Sequence, residues 1–113
     1  MLVDERCISA GEGWASWFVA RKRARLFGAT TAGASSAKKT YTLANGKYKV
    51  TFPIKPYAGF LDRPIERQGI EPDVPVAVTA ADIAAKRDTV LEAARQYLAS
   101  KLPTTQKTLA SED

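Results

Sequence analysis

"LVDERCISAGEGWASWFV", residues 2–19, divides at Ser9. Before it, "MLVDE" (1–5) reads as a short strand buried at Leu2 and Val3. The part after Ser9 reads as a helix. Ser9 is placed as the N-cap and Glu12 as the third helical residue, the pair that makes a capping box. Ala10, Trp14, Trp17 and Phe18 follow at spacings of four, three and one, so they share one stripe, whose Trp14 and Trp17 should face something large, such as an absent half of the domain. Arg21, Lys22 and Arg23 close the helix, where its dipole favours cations. "ARLFG" (24–28) is a second strand, stopped by its glycine. Strand, helix and strand within 28 residues predict a crossover joining two parallel strands.

Outward from that unit the signals are shorter. "GATTAGASSAKK" (28–39) is small and polar and reads as a loop. "KTYTLANGKYKVTF" alternates on both sides of Asn45-Gly46, which predicts a β-hairpin. Prolines and glycines make 53–75 mostly irregular, with a short strand near Val74–Val78. Thr79 can cap a short helix. Asp88 can cap a last one, striped by Val90, Leu91, Ala94, Tyr97 and Leu98. The expected organisation is one folded unit over 1–102 and a polar tail over 103–113 with little to bury.

Composition narrows the function classes. The chain has 113 residues, 45% hydrophobic and 26% charged, which is ordinary for a globular domain with a modest core. No apolar run approaches the ~20 residues needed to span a bilayer, and no signal peptide is legible. The net charge is +5, concentrated in "RKRAR" and "KK". These clusters are not interleaved with aromatics as single-strand nucleic-acid binders are, so nucleic acid ranks third among the readings. With one cysteine and no histidine, an internal disulfide and the usual zinc sites are excluded.

A nucleophile needs an exposed oxygen or sulfur, a base and donors for an oxyanion. A serine between strand and helix has the first and the third, because unpaired N–H groups of the first turn point outward. The same geometry serves an ordinary cap, so spacing leaves both readings open. Cys7 lacks an evident base and reads as a buried small hydrophobe.

Five segments in order, "LVDERCISAGEGWASWFV", "RARLFGATTAG", "TLANGKYKVTFPI", "IERQGIEPDVPV" and "RDTVLEAARQYL", resemble the catalytic domain of the tail-specific (C-terminal-processing) serine proteases, including their tricorn-core-like branch. The resemblance covers about residues 2–98, and it falls on the C-terminal portion of that domain. It implies an α/β, Clp-protease/crotonase-like fold of strand-strand-helix units. It places the family nucleophile on Ser9, an oxyanion donor on the N–H of Ala10, and the supporting glutamate of the histidine-using branch on Glu66. Where most tail-specific proteases carry a basic lysine, this chain has Ala34, with Lys38 and Lys39 further on.

The resulting expectation is a serine peptidase of peptide or protein tails whose histidine base lies outside this chain. It would come from a missing N-terminal part of the domain or from a second chain. A start directly at a central strand favours a fragment, since one side of that strand would be empty. The alternative is a non-catalytic peptide-binding or assembly module of the same fold. No cofactor or metal is implied. The family allows a periplasmic or secreted location, and the residues themselves name no compartment.

Overall fold

The computed structural model describes residues 1–102; the expected tail, 103–113, lies outside the described residues. Along the chain run β1 (Leu2–Val3), α1 (Ala10–Ala20), β2 (Phe27–Gly28), β3 (Ser36–Thr42), β4 (Lys49–Pro56), β5 (Val74–Pro75), α2 (Ala80–Ala84) and α3 (Thr89–Lys101). The crossover is present: β1 and β2 are parallel, with Leu2 opposite Phe27 and Val3 opposite Gly28. β5 adds in parallel on the far side of β2, giving the order β1-β2-β5. The strand expected near 74–78 is thus two residues long. Gly28 lets the sheet close. A Cβ at this position would lie 2.0 Å from the Val3 carbonyl oxygen, and its φ is +127°, so only glycine fits between β1 and the chain leaving β2.

The core is small and sits where α1 meets the sheet. Val3, Ala15, Leu26, Ile65 and Ile70 form it, with Met1, Val19, Ala24 and Leu61 packed alongside. α1 turns Glu12, Ala15 and Ser16 inward, each fully buried. The aromatic stripe is therefore not the core face. Trp14 is 62% exposed; it stacks on Trp17 at 6.1 Å, and Phe18 meets both rings edge-on at 5.3 and 5.0 Å. Small residues let the helix approach the loops closely, which indoles at the same positions would prevent. Leu2, expected inside, is 43% exposed, because its side chain and that of Val3 leave opposite faces of β1.

α1 ends in a Schellman arrangement. Lys22 adopts φ 50°, its N–H reaches the Val19 carbonyl and that of Arg23 reaches Phe18. The cations therefore sit just past the last turn rather than within it.

The hairpin forms and is longer than expected at both ends. Ser36–Lys39, read as loop, belong to β3, and Pro53 and Pro56, read as irregular, belong to β4. The strands are antiparallel, with an irregularity between Ala37 and Lys38. A two-stranded ladder has free edges, where a proline costs no hydrogen bond. The turn is closed by the Gly46 N–H on the Leu43 carbonyl, and the Asn45 side chain accepts the Lys47 N–H.

Both C-terminal caps are as expected. Thr79 and Asp82 make a reciprocal box on α2, and Asp88 accepts the Leu91 N–H at 2.9 Å. Hydrogen bonds from Thr79, then from Arg87, hold the Asp82 carboxyl down at about 2. α3 rotates relative to the expected stripe. Ala94 is buried while Leu91 and Leu98 are 43% and 62% exposed. Tyr97 sets the rotation: its ring lies 5.4 Å from Phe27, with Arg25 and Lys101 over it at 5.2 and 5.5 Å.

Two glycines give contrasting expectations. Gly28→Ala should lower unfolding stability by about 2–4 kcal/mol in urea titration, through backbone collision. Gly46→Ala, whose Cβ would meet nothing within 4 Å, should cost only the left-handed conformation, about 1 kcal/mol. Equal losses would contradict the close approach at Gly28.

Candidate active site at the start of helix α1

Ser9 has φ 53° and ψ −112°, a backbone conformation that a residue with a Cβ rarely adopts. Such strain persists only where the surroundings over-determine it. Here the Ser9 N–H donates to Glu12 Oε2 at 3.2 Å and its carbonyl accepts the Gly13 N–H at 3.0 Å. On either side, the Ile8 carbonyl takes the Gly11 N–H and the Cys7 carbonyl takes that of Ala32, both at 3.0 Å. The side chain is exposed. Its hydroxyl lies over the Glu12 N–H, as in a capping box, but makes no well-formed cap hydrogen bond. The Ala10 N–H, at the first helical position, has no acceptor among the described residues. An exposed hydroxyl therefore stands beside a free backbone donor in the field of a helix N-terminus.

Glu12 does far more than complete a cap. Its side chain is completely buried, and one carboxylate gathers five donors. Oε1 accepts the Thr31 hydroxyl and the Gly33 N–H, both at 2.7 Å. Oε2 accepts the Ser9 N–H, the Ala34 N–H at 3.1 Å and the Ser35 hydroxyl at 2.5 Å. Burial alone would push this carboxyl up. The hydrogen bonds from Ser35, Thr31, Gly33 and Ala34 outweigh it, so Glu12 stays ionised below the ordinary glutamate range.

Segment 65–70 joins through the same loop. The Arg67 N–H donates to the Gly33 carbonyl at 2.6 Å, and the Ile70 N–H to the Thr31 hydroxyl at 2.8 Å. Gly33 is needed for this: with φ +64°, a Cβ there would lie 2.8 Å from the Gly69 nitrogen. Glu66 lies within this anchored turn, next to Arg67. Its Oε2 is buried and has no hydrogen-bond partner. Neither Arg63 nor Arg67 pairs with it; Arg63 reaches Gln68 and the Gly69 carbonyl instead. Ser9, Ala10 and the loop are thus brought together, while the Glu66 side chain makes no hydrogen bond to them.

The bases that the sequence suggested lie away from Ser9 or carry no acceptor. Ala34 carries no proton acceptor, and only its N–H serves the site. Lys38 and Lys39 lie on β3, exposed, with the Lys39 ammonium 5.1 Å from the centre of the Tyr41 ring. Burial, then the charges of Glu12 and Asp4, pushes the Cys7 thiol up, which lowers its thiolate fraction.

A cleft of about 650 Å³ opens at Ser9 and Ala10, lined also by Ser35, Ser36, Trp14, Trp17, Tyr57 and Phe60. A cleft of about 710 Å³ near Cys7, Val78 and Ile83 does not include Ser9. Thr31, Ser35, Tyr57 and Phe60 were not legible as site residues. Each lies at least 22 positions from Ser9, and no local spacing rule connects them.

The sequence model of peptidase family S41 matches residues 1–76. Solved structures that resemble the chain include two peptidases. The crystal structure of the tricorn protease superposes with a TM-score of 0.72 at 22% identity, covering 86% of this chain and 10% of that one. A candidate peptidase from Parabacteroides merdae superposes with a TM-score of 0.61 at 30% identity, covering 86% of this chain and 30% of that one. The chain thus spans a minor part of the length of either. No curated protein matches it. The architecture is the expected α/β, Clp/crotonase-like fold, of which these residues form a part.

Removing the carboxylate should leave the loop donors without their acceptor. Glu12→Ala is expected to cost about 3–5 kcal/mol, since each orphaned buried donor carries its own penalty. The folded-state pKa of Glu12 lies below its unfolded value. Its contribution is therefore complete above the ordinary carboxylate range and is lost as pH falls through the lowered one. Glu12→Gln should flatten the acid limb of a stability-versus-pH curve. An unchanged limb would mean that the loop is not held by charge.

Proposed function

The chain belongs to peptidase family S41, and from that premise we propose that it carries the nucleophile of a serine peptidase acting on peptide or protein C-terminal tails. The observation that carries the reading is the strained backbone of Ser9, which presents an exposed hydroxyl beside an unpaired N–H. An ordinary cap needs no such strain.

In the proposed reaction the Ser9 oxygen bonds to the scissile carbonyl carbon and its proton passes to a histidine. The carbonyl oxygen, now negative, is held by the Ala10 N–H. The carbon–nitrogen bond then breaks and the amine leaves with the proton from the histidine. Water, deprotonated by the same base, attacks the acyl ester and returns the Ser9 hydroxyl. The chain contains no histidine, so polypeptide outside these residues supplies it. That would be the preceding part of the domain or a second chain. Glu66 orients that imidazole and stabilises its charged form, the role of the third member of a triad. Its buried Oε2, without a partner, supports this assignment: such an oxygen is costly unless a donor comes to it. The substrate runs as an added strand along the free edge of β3, next to the loop that Glu12 holds.

Ala34, where the resemblance to tail-specific proteases implies a lysine base, favours a second reading, a peptide-binding or assembly module without catalysis. Reaction of the natural gene product with an alkyl fluorophosphonate separates the two. Stoichiometric labelling of Ser9, abolished in Ser9→Ala and slowed by ~10-fold or more in Glu66→Gln, is expected for the peptidase. A folded product that stays unlabelled would leave the binding module as the reading.

A further inference from the structure

We propose that the aromatic cleft at Ser9 is a specificity pocket for a large apolar side chain, that of the substrate residue contributing the scissile carbonyl. This rests on Ser9 being the nucleophile. The cleft opens directly at Ser9 and Ala10, so a side chain borne on the Cα next to the carbonyl carbon reaches it. Its lining includes Trp14, Trp17, Tyr57 and Phe60, and no charged residue lines it. An acidic or basic side chain would lose its water there without gaining a counter-ion. Glycine would leave the rings wet. A phenylalanine or leucine side chain would cover apolar surface that otherwise faces solvent, Trp14 at 62% and Phe60 at 54% exposure.

The wall is built rather than incidental. The turn that carries Phe60 is docked on α1 by Ser16, whose hydroxyl donates to the Gly13 carbonyl at 2.7 Å and accepts the Phe60 N–H at 3.1 Å. Two glycines make room for the contact. A Cβ on Gly59 would lie 2.3 Å from the Ser16 hydroxyl oxygen, and one on Gly13 would lie 3.3 Å from the Tyr57 hydroxyl. The rings of two distant segments are thus held beside the nucleophile before any substrate arrives, which lowers the cost of binding.

Peptidyl diphenyl phosphonates that differ only in the residue next to phosphorus test the pocket in the natural gene product. The Ser9 oxygen bonds to phosphorus, phenol leaves, and mass spectrometry counts the adduct. Phenylalanine and leucine probes should react roughly tenfold or more faster than those with glycine, aspartate or lysine. The phenylalanine-to-glycine ratio should approach one in both Trp14→Ala and Trp17→Ala. Because the ratio is taken within one protein, a partly unfolded variant does not alter it. Equal rates for all probes, or a ratio unmoved by either variant, would overturn the pocket while an alkyl fluorophosphonate still labels Ser9. If that small probe also fails, Ser9 is not the nucleophile and the substrate pocket falls with it.

Discussion

A single buried carboxylate organises this protein. Glu12 faces the core from the first turn of α1 and receives donors from Ser9, Thr31, Gly33, Ala34 and Ser35. A charge in that position would be prohibitive to bury without them. With them it becomes a clamp. It joins the exit of β1, the helix and the loop ahead of β3 into one body, and through Gly33 and Thr31 it also holds the 65–70 turn. The hydrophobic core is only a few side chains deep, so a polar network of this density has a structural share that a larger core would otherwise take.

The same clamp explains the conformation of Ser9. Left to itself, a serine would relax from φ 53°, ψ −112°, yet its N–H is held by Glu12 and its carbonyl by Gly13. Strain at one residue is thereby sustained by hydrogen bonds at its neighbours. What the arrangement lacks is a proton acceptor within these residues. Glu66 Oε2 and the Ala10 N–H are likewise left without hydrogen-bond partners among the described residues.

The exposed apolar surface has a comparable logic. α1 uses small residues against the core and turns its indoles outward, where Trp14 and Trp17 stack beside Tyr57 and Phe60. The 57–60 turn can lie there only because Ser16, Gly13 and Gly59 together leave no bulk between it and the helix. Close packing of small groups between α1 and the 57–60 turn thus brings Tyr57 and Phe60 alongside the indoles of α1.

Local rules read much of this chain correctly. A parallel crossover, an Asn-Gly hairpin, the helix start at Ser9 and side-chain caps at Thr79 and Asp88 all follow from contacts within a few residues, and five ordered segments pointed to the family. Local rules failed where the outcome depended on what lay opposite. Periodicity identified aromatic and leucine stripes on α1 and α3, but not which way the helices would rotate. That was decided by how closely Ala15 and Ser16 could approach the core and by the seat of Tyr97 on Phe27. Glu12 makes the distinction plainest. From the sequence alone it completed a capping box three residues from Ser9. Its four other donors lie 19 to 23 residues away, and no spacing rule reaches that far. Only the folding of the 31–35 loop over the helix start makes a capping residue into the clamp that shapes the site.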